Sequence, residues 1–355
     1  MIKSICLVRL SALGDVLMYV PLIRTLQTCF PEAKLTWIIS QPAYSLVEGM
    51  DGVEFIVINK PKSFGDYWRF KKALGGRVFD VLIASQASFR ANLLYPLISA
   101  KRKIGYDKRR AKDFHSVFVN ETIQPGREHT LEGFLKFAKA LNVSETTLRW
   151  DLPINPEDYA FASEKLPSEG PVLLINPAAS KPERSWPFDR YVAVIKAAQE
   201  KWQVKTVLTG GPGAHDRELA NQILAEVPCI DLVGKTKPKQ LLALISQVKA
   251  VLCPDTGPSH MATAVGTPVV ALHAVTNAKV SGPYTFGHLV VNCYPEAMRS
   301  ILMKDPETST WGTQVHGHEA MQLIQVEAVM VQLEKLFCQA EQQAIELSYF
   351  NLSKC

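Results

Sequence analysis

The sequence lacks the long apolar run that a membrane-spanning helix requires. The longest uninterrupted apolar stretch near its start, Val16 to Ile23, contains Pro21 and is far shorter than the roughly 20 residues that cross a bilayer. The first residues, Met1-Ile2-Lys3, also lack the basic, apolar and small-residue order of a signal peptide. We therefore expect a cytoplasmic protein.

Cysteine is sparse, and its spacing fits neither a disulfide framework nor a zinc site. There are 7 cysteines, scattered along the chain, and no two of them have the CxxC spacing of zinc and redox motifs. An odd number of thiols in separate apolar stretches is typical of reduced, mostly buried cysteines. This distribution also favours the cytoplasm.

Several signatures of common enzyme classes are missing or incomplete. Gly234-Lys235-Thr236 resembles the end of a P-loop, but Cys229 stands where the first glycine is required. The turn at 210–213 lacks the third glycine of a dinucleotide fingerprint, and the sequence has no Gly-x-Ser-x-Gly elbow and no Asp-x-Asp pair. His316-Gly317-His318-Glu319 has no partner cluster, so we expect no metal site.

What remains is the composition of an ordinary folded protein. Hydrophobic residues make up 47% and charged residues 21% of the 355 positions, enough for one large or two medium domains. Short segments rich in Val, Ile and Leu alternate with longer segments that suit helices, which predicts parallel sheets covered on both faces. The predicted strands are Ser4–Arg9, Lys34–Ser40, Val53–Asn59, Val78–Ser85, Val172–Asn176, Lys205–Leu208, Ala250–Cys253 and Val269–His273. The predicted helices are Asp15–Cys29, Tyr44–Met50, Tyr67–Leu74, Phe89–Ser99, Phe188–Lys201, His215–Ala225, Pro238–Gln247 and Ser259–Val265.

The alternation weakens once, in a proline-rich polar stretch at 152–170. We therefore predict two successive doubly wound domains, over residues 1–165 and 166–320. The tail after Glu319 has helical apolar spacing and few helix breakers. A helical segment over 321–355 is expected to close the structure.

The stretch from Arg9 to Ile23 follows the first predicted strand and contains a single carboxylate. Ser11 and Gly14 are small residues that let a ligand approach the backbone, and Asp15 stands in the first turn of the predicted helix. An aspartate at this position stabilises the helix through free N–H groups and the dipole. The same carboxylate could also accept a proton from a substrate, because a cap and a general base are not exclusive.

A loop in the second half combines an acid, a hydroxyl, a glycine and a histidine after a predicted strand. Asp255, Thr256, Gly257 and His260 lie where a helix begins, and the free N–H groups of a helix start can hold a phosphate without a metal. An ordinary turn and helix cap is the alternative. The clustering of these residue types favours the anion site.

The loop from Ala179 to Pro187 also lies between a predicted strand and a predicted helix. Pro187 suits the first helical turn, while Lys181 and Arg184 are cations at the edge where a ligand would bind. A surface loop of mixed charge is the alternative, and the cations alone do not decide between the two.

The net charge of +5 is unevenly distributed, because cations are concentrated between residues 101 and 112. Such a cluster is either a solvated surface or a site for phosphate, carboxylate, anionic lipid or nucleic acid. Its members are Lys101, Arg102, Lys103, Lys108, Arg109, Arg110 and Lys112.

Taken together, three segments resemble the ADP-heptose heptosyltransferases of lipopolysaccharide core synthesis, glycosyltransferase family 9. They are RLSALGDVLMYVPLIRTL, SKPERSWPFDRY and PDTGPSHMATAVGTPVVAL, in family order and spacing. The resemblance implies an α/β fold of the GT-B type, with two Rossmann-like doubly wound parallel-sheet domains facing across a cleft. The domain over 1–165 would bind the acceptor, the domain over 166–320 the nucleotide sugar, and the segment over 321–355 would pack back on the first domain.

The resemblance also implies an inverting, metal-independent transfer of a heptose from ADP-heptose, which is a substrate and not a cofactor. Asp15 matches the catalytic base of the family. Arg184 lies two residues before the Trp-Pro pair, where the family usually has a lysine that contacts the donor phosphates, and an arginine keeps the charge but not the geometry. The donor-binding candidates are Ser180, Lys181, Arg184, Asp255, Thr256, Gly257 and His260.

The implied acceptor is a Kdo or heptose hydroxyl of Kdo-lipid A or of the core oligosaccharide. Its carboxylates and phosphates suit the cations between residues 101 and 112, which also suit peripheral contact with the anionic inner face of the cytoplasmic membrane. The acceptor-binding candidates are Ser11, Gly14, Lys101, Arg102, Lys103 and Arg109.

Three other interpretations compete with this one. A transferase of the same fold could use another sugar nucleotide, since the loops do not separate ADP from UDP. A non-catalytic nucleotide- or glycan-binding relative is less consistent with the presence of Asp15, Asp255 and His260. Nucleic-acid binding is not expected, because the basic cluster has no interleaved aromatic residue beyond Tyr106 and no recognised module.

Overall fold

The computed structural model describes residues 1–59, 61, 63–108 and 110–338. The chain divides into two compact units, Met1–Pro153 and a second unit that begins at Ile154. Each unit is described by itself below.

Unit 1 is built on a parallel sheet of six strands in the order β3-β2-β1-β4-β5-β6. Its strands are β1 (Ser4–Val8), β2 (Lys34–Ser40), β3 (Val53–Ile58), β4 (Val78–Ala84), β5 (Ser99–Gly105) and β6 (Glu121–Thr122). Its helices are α1 (Leu13–Cys29), α2 (Gln41–Val47), α3 (Phe64–Ala73), α4 (Phe89–Asn92) and α5 (Thr130–Lys139), with 3-10 turns at Tyr95–Leu97 and His115–Val117.

The core of unit 1 follows from the apolar strands, which have side chains buried on both faces of the sheet. Helix α1 is buried over most of its length and packs on α5, where the Tyr19 and Phe134 rings meet edge to face at 5.1 Å. The buried Arg24 of α1 donates hydrogen bonds to the carbonyl oxygens of Trp150 and Asp151. These bonds fix the last residues of unit 1 to its core.

All eight predicted strands are present, with ends within one residue of the prediction. The predicted helix over Phe89–Ser99 is wrong beyond Asn92, because a 3-10 turn containing Pro96 follows and β5 begins at Ser99. Strand β5 was not predicted, since its basic Lys-Arg-Lys run conceals the strand periodicity.

Unit 2 has a second parallel sheet, in the order β12-β11-β10-β7-β8-β9. Its strands are β7 (Val172–Ile175), β8 (Lys205–Leu208), β9 (Ile230–Asp231), β10 (Ala250–Pro254), β11 (Val269–His273) and β12 (Val291–Asn292). Its helices are α6 (Pro156–Lys165), α7 (Phe188–Trp202), α8 (Ala214–Glu226), α9 (Pro238–Ser246), α10 (Gly257–Val265), α11 (Ala278–Ser281), α12 (Tyr294–Ser300) and α13 (Glu319–Gln322), with 3-10 helices at Pro182–Arg184 and Tyr284–Leu289.

The two sheets share one strand order. Read from the other end, the second sheet has the order β9-β8-β7-β10-β11-β12. With strands numbered within each unit, both sheets therefore have the order 3-2-1-4-5-6, which is that of the dinucleotide-binding Rossmann fold. The two Rossmann-like domains predicted from the sequence are therefore confirmed.

The structure divides the chain at Pro153, earlier than the predicted boundary after residue 165. The proline-rich stretch contains helix α6, which packs on α9 of unit 2 and so belongs to that unit. Asn155 and Pro156 start this helix, a good cap residue followed by a good first helical residue.

The described part of the C-terminal tail packs on unit 2. A helical segment covers residues 326–338, and Val329, Leu333 and Phe337 lie in the core of unit 2, where the Phe337 ring stacks on Trp202 at 5.2 Å. Residues 339–355 lie outside the described residues, so the predicted return of the tail to the first domain stays a prediction.

Within the described residues, no helix combines the length and the hydrophobicity needed to span a bilayer.

Candidate active site

Both sheets place their candidate residues where the strand order reverses. In unit 1 the strands after β1 are added on one side of it, and β4 and the strands after it are added on the other side. In unit 2 the same reversal lies between β7 and β10. Ligands of open α/β sheets bind in the crevice at the carboxyl ends of the strands at this reversal point. The loops after these four strands are therefore the candidate site of each unit.

Asp15 lies at the reversal point of unit 1, in the first turn of α1. Its carboxylate accepts a hydrogen bond of 3.1 Å from the Ala12 backbone N–H, which makes it the helix cap that the sequence predicts. The side chain is nonetheless 32% exposed. The carboxylate therefore caps its helix and still meets solvent, as a proton acceptor requires.

Asp15 forms an ion pair with Arg9, the residue directly after β1. The Arg9 guanidinium also donates to the Ser85 carbonyl oxygen at 2.9 Å and lies over the Phe134 ring at 5.0 Å. Burial disfavours its charged form, but the neighbouring Asp15 outweighs this effect and the pKa of Arg9 is raised. A fixed, permanently charged group therefore holds the orientation of the Asp15 carboxylate.

The loop after β4 completes this site. The Tyr106 hydroxyl donates to the same Ser85 carbonyl oxygen at 2.9 Å, and burial raises the pKa of Tyr106 to about 12 although the Arg9 charge acts in the opposite direction. The Gln86 side chain accepts a hydrogen bond of 2.6 Å from the Leu10 N–H, which ties the two loops together. Ser11 and Gly14, half-buried beside Asp15, lie at this same strand edge.

At the reversal point of unit 2, the loops after β7 and β10 bring Arg184 and Asp255 together. The Arg184 guanidinium lies 3.7 Å from the Asp255 carboxylate, and their side chains are 17% and 10% exposed. The Nε of Arg184 is buried and has no hydrogen-bond partner among the described residues. It is a charged donor that an anionic ligand could use.

Four further side chains surround Asp255. Burial alone would raise the pKa of Asp255, but the neighbouring His273 and His260, a hydrogen bond from Thr276 and the Arg184 charge together lower it. The Ser281 hydroxyl donates to the same carboxylate at 3.3 Å.

His273 is fully buried at the end of β11, and burial lowers its pKa although Asp255 acts in the opposite direction. Its Nδ1 lies 3.2 Å from the Thr276 hydroxyl oxygen. Its Nε2 has no partner among the described residues. Three residues of this site were not predicted from the sequence: His273, Thr276 and Ser281. His273 nevertheless ends a predicted strand and the other two follow it, and position after a strand is the signal that identified the other candidate loops.

The start of helix α10 is open. Thr256 is the N-cap, and a side chain added at Gly257 would meet no atom within 4 Å. His260 is nearly buried in the first turn of the same helix. A helix start with free space in front of it can receive a phosphate.

Ser180 and Lys181 are exposed in the loop after β7. The Lys181 ammonium lies 3.3 Å from the Gln314 side-chain oxygen. In the same loop Glu183 pairs with His316 at 2.8 Å, a contact that lowers the pKa of Glu183. His316 thus has a carboxylate partner, and the described residues contain no group of three or more His, Cys, Asp or Glu arranged to hold a metal.

The glycine-rich loops of unit 2 have structural roles. Gly211 donates its N–H to the Asp216 carboxylate at 2.7 Å, near the start of α8. Lys235 pairs with Asp231 at 3.0 Å, and Arg217 pairs with the same carboxylate at 2.9 Å. These cations lower the pKa of Asp231 to about 2, although burial acts in the opposite direction.

The structure separates Lys101, the first cation of the basic cluster, from Asp15. Lys101 pairs with Asp80 at 2.8 Å, and the same carboxylate accepts the Lys3 and Ser4 N–H groups at the amino end of β1, the opposite edge from Asp15. Two neighbouring cations of β5 also have protein partners. Arg102 pairs with Glu121, the Lys103 ammonium donates to the Tyr95 carbonyl oxygen at 3.1 Å, and Arg109 lies outside the described residues.

Comparison with known proteins decides the family. Residues 67–307 match the sequence model of "Glycosyltransferase family 9 (heptosyltransferase)". The chain is also 34% identical over 337 residues to the lipopolysaccharide core heptosyltransferase OpsX of Haemophilus influenzae, covering 94% of this chain and 97% of that protein. The chain belongs to glycosyltransferase family 9. It is therefore a glycosyltransferase of the heptosyltransferase family, as its sequence segments indicate.

Solved structures of family members share the fold over nearly the whole chain. A family 9 glycosyl transferase from Veillonella parvula has a TM-score of 0.77 at 20% identity, covering 95% of this chain and 97% of that one. Heptosyltransferase WaaC of Escherichia coli, solved with ADP, has a TM-score of 0.69 at 20% identity, covering 94% and 99%. The predicted GT-B fold class is confirmed.

Proposed function

We propose that this family 9 enzyme transfers a heptose from ADP-heptose to a Kdo or heptose hydroxyl of the lipopolysaccharide inner core, with inversion and without a metal ion. The observation that carries the proposal is a part-exposed carboxylate, Asp15, held at the strand reversal point of a Rossmann-like domain in a chain of this family. The names of the relatives support the choice of substrates, since OpsX is a lipopolysaccharide core heptosyltransferase and WaaC was solved with ADP.

Asp15 acts as the general base. The acceptor hydroxyl oxygen attacks the anomeric carbon of the heptose and forms the new glycosidic bond, while Asp15 takes the hydroxyl proton. The bond between the anomeric carbon and the phosphate oxygen breaks, and ADP leaves with that electron pair. Arg9 keeps the carboxylate in place through its ion pair and its bond to the Ser85 carbonyl oxygen.

Unit 2 binds the donor and stabilises the leaving group. Arg184, whose Nε has no partner among the described residues, and the open start of α10 at Thr256 and Gly257 provide donors for the diphosphate as negative charge develops on it. Asp255 holds Arg184 in place, and its nearly buried carboxyl keeps a pKa below the usual value, because the neighbouring His273 and His260, the Thr276 hydrogen bond and the Arg184 charge outweigh burial. Lys181, Ser180 and His260 complete the donor side in this proposal.

The acceptor binds unit 1 at the carboxyl edge of its sheet, beside Ser11, Gly14 and Asp15. Since lipopolysaccharide precursors are anchored in a bilayer by their lipid, we place the enzyme at the cytoplasmic face of the membrane, in peripheral contact with anionic lipid. Acceptor binding by Lys101, Arg102, Lys103 and Arg109 stays a prediction, and the ion pairs of the first two do not favour it.

The test is release of ADP from ADP-heptose with two acceptors, Kdo-lipid A and a heptosylated core, in the presence of EDTA. We expect release that depends on one acceptor, that EDTA does not reduce, and that gives a product with the anomeric configuration opposite to that of the donor by NMR. UDP-sugars and ADP-glucose serve as donor controls. Acceptor-dependent turnover of one of these donors but not of ADP-heptose would overturn the donor assignment, and loss of activity in EDTA would overturn the metal-independent mechanism.

A further inference from the structure

Unit 1 exposes large apolar side chains at the carboxyl edge of its sheet. Phe64 is 95% exposed, Phe114 77% and Phe89 59%. Each lies in a segment that follows a strand: Phe64 begins α3 after β3, Phe89 begins α4 after β4, and Phe114 lies between β5 and β6. Trp68 and Val117, also exposed, lie in the same segments. We call Phe64, Trp68, Phe89, Phe114 and Val117 the aromatic rim.

The rim residues lie on one face of the sheet as well as at one edge. Helix α3 packs through Phe70 and Leu74, and α4 through Ala91, on a single core cluster that includes Val8, Ile38 and Leu82 of the central strands. Phe118, next to Val117, packs against the same cluster. The segments therefore cover the same face of the sheet.

Hydrogen bonds join these segments directly. The Phe89 N–H donates to the Asp113 carboxylate at 2.9 Å, and the Asn92 side chain donates to the Lys112 and Asp113 carbonyl oxygens. Lys71 of α3 donates to the Leu97 carbonyl oxygen, just beyond α4. The rim is thus one continuous surface.

The surface around the rim is basic. Lys72 lies over the Trp68 ring at 5.7 Å, and Lys108 and Lys112 are exposed; none of the three has a carboxylate partner among the described residues. The charged residues described on α3, α4 and the segment after β5 are Asp66, Arg69, Lys71, Lys72, Arg90, Asp107, Lys108, Arg110, Lys112 and Asp113. Cations predominate among them, and two of the acids are already paired with Arg69 and Arg110.

We propose that the aromatic rim and its cations form a membrane-docking surface for a bilayer that contains anionic lipid. Aromatic side chains favour the interfacial region of a bilayer, and lysines are attracted to anionic headgroups. The rim lies at the same sheet edge as Asp15, so docking there brings the proposed base to the plane where a lipid-anchored acceptor presents its sugars. This inference rests on the peripheral membrane contact proposed above and names the residues that make it.

The test is co-sedimentation of the full chain with phosphatidylglycerol–phosphatidylcholine vesicles, without donor or acceptor. We expect binding that falls with salt and with the phosphatidylglycerol fraction. Phe64→Ser with Phe114→Asn should lower the partition coefficient at least tenfold, and Lys72→Gln with Lys112→Gln about twenty-fivefold, since each lysine near an anionic surface contributes about fivefold. Asparagine suits position 114 because Phe114 has a positive φ of 63°.

The matched controls lie in unit 2. The apolar control is Tyr159→Ser, which removes an exposed aromatic ring on a helix, with Met303→Asn, which replaces an exposed apolar side chain that, like Phe114, has a positive φ. The charge control is Lys249→Gln with Lys304→Gln, which removes two exposed lysines. These variants should bind vesicles like the wild type. All variants should turn over a deacylated, soluble acceptor at the wild-type rate, which shows that they are folded.

Two results would overturn the proposal. The first is that the rim variants reduce vesicle binding no more than the unit 2 variants do, or do not reduce it at all. The other is a rim variant that binds vesicles normally but loses turnover of the soluble acceptor, which would assign the rim to acceptor sugars. Because the vesicle assay involves no transfer, its failure is distinct from failure of the proposed reaction.

Discussion

The carboxyl edges of the two sheets differ in chemistry although the sheets share one strand order. At the reversal point of unit 1, the exposed functional group is the Asp15 carboxylate, and its arginine partner is largely buried behind it. At the reversal point of unit 2 the arrangement is inverted. The carboxylate of Asp255 is nearly buried, and the donors without a partner among the described residues are the Nε of Arg184 and the open start of α10.

This difference teaches how one topology can perform two tasks. The fold fixes where strands end, and therefore where a ligand can bind, but it leaves the loop residues free. In the function we propose, unit 1 presents a group that accepts a proton, and unit 2 presents groups that bind an anion. The predictions below test this division in order of decreasing expected effect.

Replacement of the unit 1 carboxylate should have the largest effect. We expect Asp15→Asn to lower kcat about a thousandfold, within the range for loss of a general base. Asp66→Asn is the matched control, because Asp66 also lies in the first turn of a helix, accepts a backbone N–H from Ser63 at 2.9 Å and pairs with an arginine. It should change kcat less than twofold in a steady-state ADP-release assay. Equal losses in both variants would mean that Asp15 is only a helix cap.

Replacement of the unit 2 cation should act on the donor instead. Arg184→Gln should raise the donor KM between about tenfold and a hundredfold, because hydrogen bonds to charged groups contribute about 1.5–3 kcal/mol. Arg184→Lys, which keeps the positive charge but not the guanidinium geometry, should raise the donor KM less than Arg184→Gln does. An Arg184→Gln enzyme with unchanged donor KM would contradict the donor assignment.

Arg9 should behave as a positioning residue for Asp15. We expect Arg9→Met to lower kcat about tenfold with little change in either KM, because the carboxylate loses its fixed partner, and Arg9→Lys to restore part of the loss. Both are measured with saturating donor and acceptor. If Arg9 had only a structural role, both variants would lower the melting temperature but leave kcat unchanged at temperatures where they are folded.

The smallest effect concerns stability and depends on His115, a buried histidine of unit 1. The Nε2 of His115 accepts a hydrogen bond from the Tyr106 N–H, and its Nδ1 lies 2.9 Å from the Asn92 side-chain oxygen. Burial lowers the pKa of His115 to about 4. The unfolded chain, with a histidine pKa near 6.5, binds this proton more readily, so stability falls as pH decreases from about 6.5 to about 4. We expect the melting temperature to drop by several degrees over this window.

His115→Gln should flatten that pH dependence, whereas His318→Gln, at an exposed position, should leave it unchanged. Differential scanning fluorimetry at pH 7, 6 and 5 is sufficient. A wild-type slope that persists in His115→Gln would assign the pH dependence to other groups.

Much of the fold could be predicted from the sequence because the strands are short, apolar and β-branched. The strands that were missed break this pattern in identifiable ways. Strand β5 pairs with β4, but its three consecutive basic residues hide the apolar pattern of a strand. Strands β6, β9 and β12 have two residues each, which are too few to show a period.

The candidate site was predicted only as far as its residues lie in one loop. Asp15 and the loop at Asp255 are local motifs, and position after a strand identifies them. The contact of Arg9 with the Ser85 carbonyl oxygen depends on the register that pairs Val8 with Ala84, residues 76 apart in sequence. The approach of His273 to Asp255 likewise depends on the pairing of β10 with β11. Such contacts follow from tertiary register, which a single sequence does not encode locally.

The most direct test of the division between the two edges is a calorimetric titration of ADP into the wild type, Asp15→Asn and Arg184→Gln. The account predicts that Asp15→Asn binds ADP within twofold of the wild type and that Arg184→Gln binds it at least tenfold more weakly. Weakened binding in Asp15→Asn together with unchanged binding in Arg184→Gln would contradict the assignment of the base to unit 1 and of the donor to unit 2.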